Sequence, residues 1–203
     1  MAYRIGRLTR SLPFVLLIAV AQGDDAEKAK SGGPVAEKLS ELELYVTNWN
    51  VVAQYFNENG EQVGTVKGTE DIVWALGHRV IQRTFTTLAE SAVYRAIGLL
   101  TWNEATERFE GVYFDNISTS GPTTVEAQWN KKKREMVSTL KSTGSDGSTI
   151  KYRIVDKFID DSNRVATTYS LAGNKQTKVM EAKYARAVPC PSTRRRLIDE
   201  LNP

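Results

Sequence analysis

Ile150-Lys151-Tyr152-Arg153-Ile154-Val155-Asp156-Lys157-Phe158-Ile159 is the stretch that decides the fold. Ile150, Tyr152, Ile154, Asp156 and Phe158 share one phase, while Lys151, Arg153 and Lys157 occupy the other. A period of two with one apolar face is the signature of a half-buried β-strand. Downstream, Asp160-Asp161-Ser162-Asn163 turns the chain into a strand from Val165 to Leu171, and Ala172-Gly173-Asn174 leads to a last one from Thr177 to Ala187. Upstream, Gly144-Ser145-Asp146-Gly147 separates it from a hairpin predicted over Thr123–Trp129 and Glu135–Ser142, joined by the basic turn Asn130–Arg134.

The same punctuation continues towards the N-terminus. Strands are predicted at Leu44–Phe56, Glu61–Leu76, Arg79–Leu88, Ala92–Trp102 and Phe109–Ser118, and Asn59-Gly60 supplies the positive φ angles that a hairpin turn needs. The result is an all-β antiparallel meander of about ten strands. No helical run between them is long enough for a parallel crossover. A meander of this length hides its edges best by closing on itself, so a β-barrel is expected, with short flanking helices at Val35–Leu42 and Thr193–Leu201.

The N-terminus carries Arg4, Arg7 and Arg10 without an acidic residue, then the apolar run Leu12–Val20 and the small residues Ala19-Val20-Ala21. This is the layout of a secretory signal peptide over residues 1–21, cleaved after Ala21. The apolar run is about half the length that spans a bilayer as a helix, so no stable membrane span is expected after cleavage. Residues 22–36 are expected to be a flexible tether, 37–187 the barrel domain and 188–203 a basic tail. These assignments predict a secreted or periplasmic protein.

The chain of 203 residues carries a net charge of +3, and the three leader arginines account for that excess. A near-neutral mature domain makes no case for nucleic acid, and the basic runs Lys131–Arg134 and Arg194–Arg196 fall in a turn and a tail, where such runs are commonly solvated. Cys190 is the single cysteine and His78 the single histidine. Together they exclude an intrachain disulfide and the usual multi-cysteine or two-histidine metal sites, and no cofactor or metal is expected.

Thr47-Asn48-Trp49, Val66-Lys67-Gly68-Thr69-Glu70, Leu76-Gly77-His78-Arg79, Phe109–Asp115 and Val179-Met180-Glu181-Ala182-Lys183-Tyr184, in this order and spacing, resemble a bacterial calycin-like domain of unknown function, the DUF1579 family. The resemblance covers about Glu37 to Ala187. It implies a lipocalin-like barrel and no particular activity. Asn48 stands where the family usually places glycine, and Tyr113 where it places tryptophan.

Candidate interior residues follow from strand phase. Trp49, Tyr94, Tyr113, Tyr152, Tyr169 and Tyr184 are spread along the strands, where they either fill a barrel or line a cavity. Asp156 shares the apolar phase of its strand and Asp115 that of Tyr113. A carboxylate inside a barrel needs a partner, because burying it alone costs several kcal/mol. Arg79, Arg83 and Arg95 are the candidate partners, either as structural ion pairs or as the lining of a pocket for a ligand's acid group.

Three functions remain in view. One is an exported barrel binding a small, partly apolar ligand, with an acid group as an option. Another is a structural or protein-interaction module with a solid interior. An enzyme is the weakest, with only isolated acids such as Glu70, Asp115 and Asp156 and no nucleophile elbow or phosphate-cradling loop to support it.

Overall fold

The structure is a computed structural model and describes residues 34–88, 93–118 and 121–187. A short helix, α1 (Pro34–Ser40), and a single 3-10 turn (Glu43–Tyr45) precede ten strands: β1 (Asn48–Phe56), β2 (Gln62–Ala75), β3 (Val80–Leu88), β4 (Val93–Asn103), β5 (Arg108–Asp115), β6 (Thr123–Asn130), β7 (Glu135–Thr143), β8 (Thr149–Phe158), β9 (Asn163–Ala172) and β10 (Lys175–Arg186). Each strand pairs antiparallel with its sequence neighbours, and β10 closes on β1, with Trp49 opposite Arg186 and Tyr55 opposite Met180. The expected closed meander is the observed fold.

The expected first strand began too early, at Leu44. Glu43–Tyr45 instead coils as a 3-10 turn, which buries Tyr45 and lets its carbonyl accept the indole N–H of Trp49 at 2.9 Å. Helix α1 starts at Pro34, inside the stretch read as tether, and stops short of Leu42. The leader, the remainder of the tether, Cys190 and the tail helix expected at Thr193–Leu201 lie outside the described residues.

Alternation along the ladders sorts the wall into two faces. Trp49, Val51 and Ala53 of β1 face inward, and the register carries that phase round to Glu70 and Gly68, then to Phe85 and Thr87, and on to Ala96 and Tyr94. Two inward or ladder glycines mark close backbone approach. A side chain at Gly111 would place its Cβ 2.0 Å from the Leu99 carbonyl oxygen, and one at Gly68 would come within 2.3 Å of that of Thr86. Backbones that approach this closely need glycine.

The two ends of the barrel differ. The end where β1 begins is sealed by Leu39, Leu42 and Tyr45 over Trp49, Phe109 and Phe158, all buried. Edge-to-face contacts hold this plug together, with ring centroids 4.8 Å apart for Tyr45 and Phe158 and 5.1 Å for Trp102 and Phe109. The opposite end carries the β1–β2 turn, where Asn57 Oδ1 accepts the backbone N–H groups of Asn59 and Glu61 and Gly60 takes a φ of 80°.

Candidate functional site: the charged layer and the open half of the lumen

Between the two ends the barrel interior holds four charged side chains. Arg164, the second residue of β9, is fully buried and donates from Nη1 to Asp156 Oδ2 on β8 and from Nη2 to Glu70 Oε2 on β2. Glu70 in turn accepts from Arg83, whose Nε lies 2.9 Å and Nη2 2.7 Å from Oε1. Glu70 thus bridges two guanidinium groups, one through each oxygen. The Arg164 guanidinium also packs on three rings, 3.6 Å from the centroid of Tyr184, 5.0 Å from Trp49 and 5.3 Å from Tyr45.

The two carboxylates respond to this layer in opposite directions. Burial would raise the Glu70 carboxyl, but Arg83 and Arg164 outweigh it and hold Glu70 below the usual carboxylate range. For Asp156, burial prevails over the pull of Arg164 and Arg83, and its affinity for a proton is raised. Burial likewise pushes the hydroxyls of Tyr45 and Tyr184 upward.

Above this layer the lumen changes character. Its wall is built from small residues, among them Gly64, Gly68, Gly98, Ala96, Thr87 and Ser170, with tyrosines standing between them. The barrel interior widens with strand number, and eight strands already leave an interior that side chains only just fill. Ten strands lined by glycine, alanine, serine and threonine leave more room than eight would. At the rim Tyr55 keeps 39% and Ile150 37% of their surface, and at mid-barrel Arg83 keeps 31% of its side chain. Tyr94, Tyr113 and Tyr152 are half-buried. The Tyr94 and Tyr113 hydroxyls share a hydrogen bond of 2.7 Å, and Phe85 stands edge-to-face to Tyr94.

Trp49, Arg83, Tyr94, Tyr113, Tyr152, Asp156 and Tyr184 therefore all occupy inward positions, but at different depths. Trp49, Asp156 and Tyr184 belong to the charged layer and the plug, whereas Arg83, Tyr94, Tyr113 and Tyr152 border the open half. Three expectations are corrected. Arg95 pairs with Thr86 on the outward phase and is exposed. Tyr169 pairs with Arg153 and Lys178, also outward, because β9 buries Arg164, Ala166 and Thr168 instead. Asp115 has the inward phase but sits at the mouth, where Oδ1 accepts the N–H of Ile117 at 3.0 Å and of Ser118 at 2.6 Å as a turn cap.

Of the arginines considered as partners, Arg83 meets Glu70 directly and Arg79 lies in the exposed β2–β3 turn. Arg164 is the partner of Asp156, and the sequence reading passed over it. It follows Asp160–Asn163 directly and looks like part of that polar turn. The outward residues Val165, Tyr169 and Leu171 also make the wrong phase of β9 look like the core.

His78 is exposed in the β2–β3 turn with a φ of 63°, its ring 5.5 Å from that of Trp74. Among the described residues no cluster of three histidine, cysteine or acidic side chains could hold a metal, and no helix is long and apolar enough to cross a membrane. One cleft, over Leu76, Val80, Leu99 and Val112, lies on the outer wall, and another, between Leu44 and Trp129, lies beside the plug at the sealed end.

A closed antiparallel barrel sealed at one end by an N-terminal helix and lined at the other by small and phenolic side chains is a lipocalin-like barrel. Residues 37–186 match the family described as a protein of unknown function (DUF1579), and the chain belongs to that family. Among solved structures it is similar to the S-type phycobiliprotein lyase CPES from Guillardia theta, with a TM-score of 0.50 and 11% identity over 83% of this chain and 100% of that one. It is also similar to Rv2717c from M. tuberculosis, with a TM-score of 0.49 and 16% identity over 77% of this chain and 99% of that one. At such identities the likeness is one of fold. No curated protein matches the sequence.

Proposed function

We propose that this is an exported, non-enzymatic binding barrel that takes a small, partly apolar ligand into the open half of its lumen. One observation carries the reading: Arg83 faces inward at mid-barrel and yet keeps 31% of its side chain accessible, so the lumen beside it is not filled by protein side chains. Phe85, Val125 and Leu140 supply apolar wall and the tyrosines supply hydroxyls, the mixture that small-molecule pockets use to combine burial with orientation. A barrel packed solid and working through its surface accounts for the aromatic plug but leaves the accessibility of Arg83 without a cause.

Export rests on the arginine-rich leader and the apolar run Leu12–Val20. The reading is tested by purifying the protein from its exporting host, extracting it with organic solvent and analysing the extract by mass spectrometry, alongside titration with an uncharged fluorescent apolar probe such as N-phenyl-1-naphthylamine. The expected result is a co-purifying small molecule, or saturable binding of the probe at one site per chain. An empty extract together with no saturable binding overturns it.

A further inference from the structure

Three features meet at one place on the inner wall, just above the charged layer. Arg83 commits Nε and Nη2 to Glu70, and no described residue accepts from its remaining nitrogen, Nη1. Tyr94 and Tyr113 share one hydrogen bond. Burial pushes both phenols upward, so both keep their protons, and a pair with two hydrogens and one mutual bond leaves one O–H to donate elsewhere. Between Arg83 and Tyr113 lies Gly98: a Cβ there would sit 3.5 Å from Tyr113 Cδ2 and 3.8 Å from Arg83 Cβ. Gly98 is itself buried, and its lack of a side chain lets the Arg83 stem and the Tyr113 ring stand side by side on the inner wall.

We infer that the wall around Gly98, where Arg83 and Tyr113 are its ladder neighbours, is the head-group subsite of the lumen and that it takes the carboxylate of a monocarboxylic acid with an apolar tail, held by Arg83 Nη1 and the free O–H of the Tyr94–Tyr113 pair. The inference rests on the open lumen proposed above and adds the chemical class of its ligand. Charge selects a single carboxylate over a dianion. The two guanidiniums already face the carboxylates of Glu70 and Asp156, so the layer has little positive charge to spare. A dianion would add repulsion from Glu70 without compensation. Gly98 becomes the specificity-determining position, since a side chain there would come between the Arg83 stem and the Tyr113 ring and change how the two present their donors.

Decanoate and decan-1-ol, competing against N-phenyl-1-naphthylamine on the full chain, separate the head group from the tail. Decanoate is expected to bind at least ten-fold more tightly than decanol. Gly98→Ala meets only ordinary contact distances and leaves the Arg83–Glu70 pair in place, so it should keep the wild-type melting temperature while the ratio falls towards one. Tyr113→Phe should lower the ratio several-fold. Equal affinity for acid and alcohol overturns the inference and leaves the lumen reading standing. A high ratio that neither variant changes also overturns it, because the acid is then held elsewhere, and binding of neither compound overturns both.

Discussion

Glu70 on β2 and Arg164 on β9 are joined by a buried ion pair although two whole strands, β10 and β1, lie between theirs on the wall. The contact ties residues 94 positions apart in sequence, across the inside of the barrel and not along any backbone ladder. It fixes which side chains share the mid-barrel level and separates the packed half from the open one.

Removing one member of this layer should cost far more than removing a matched pair. Asp156→Ala leaves Arg164 with a single carboxylate and is expected to lower stability by about 3 kcal/mol, read from urea unfolding. The double variant Asp156→Leu/Arg164→Met keeps the Glu70–Arg83 pair and substitutes apolar volume, so it should recover at least half of that loss. A double variant as unstable as the sum of its singles would show that the layer contributes through other contacts.

The opposite shifts of the two carboxylates predict a particular pH profile. Glu70 is held low, so its contribution is present above the unfolded value of about 4.3 and is lost as pH falls through the lower folded value. Asp156 is raised, so the folded state is favoured with the proton on and loses stability as pH rises from about 3.9 through its folded value. Asp156→Asn should remove that loss, and its melting temperature should change less than that of the wild type across the mildly acidic range. Parallel profiles for the two proteins would refute the assignment.

Strand glycines make a sharper contrast. Gly111→Ala drives a methyl into the Leu99 carbonyl and should destabilise by about 2 kcal/mol or more, whereas Gly98→Ala should be close to neutral. Thermal melts of the two variants suffice, and equal losses would contradict the wall geometry.

Much of this architecture was legible in the sequence, and the failures have physical causes. The ten strands and most turns were readable because period-two alternation and Gly, Asn and Asp punctuation are local signals. Asp156 was placed inward correctly, since its strand alternates cleanly. Strand β9 hid its phase: its buried positions are Arg164, Ala166 and Thr168, while its outward positions include Val165, Tyr169 and Leu171. An apolar outer face and a charged inner one invert the usual cue, and only the position of Asp156 opposite Ala166 resolves it. Tyr169→Ala should accordingly cost less than about 1 kcal/mol and Tyr184→Ala about 3 kcal/mol or more. Equal costs would return Tyr169 to the interior.

The leader makes a prediction independent of the fold. Intact mass of the protein recovered from outside the cytoplasm should correspond to a chain beginning at Gln22. Recovery of a chain that still begins at Met1 would reverse the assignment of residues 1–21 as a cleaved signal.

The half-open lumen itself is best tested by thiol labelling in a Cys190→Ser background. Cysteine replaces Tyr152, bordering the open half, or Leu100, buried in the packed half, and each variant is reacted with a small maleimide in the presence and absence of saturating N-phenyl-1-naphthylamine. The account predicts that the position 152 thiol reacts at least a hundred-fold faster than the position 100 thiol and is protected when the probe is bound. Equal reactivity at the two positions, or a position 152 thiol indifferent to bound probe, would contradict it.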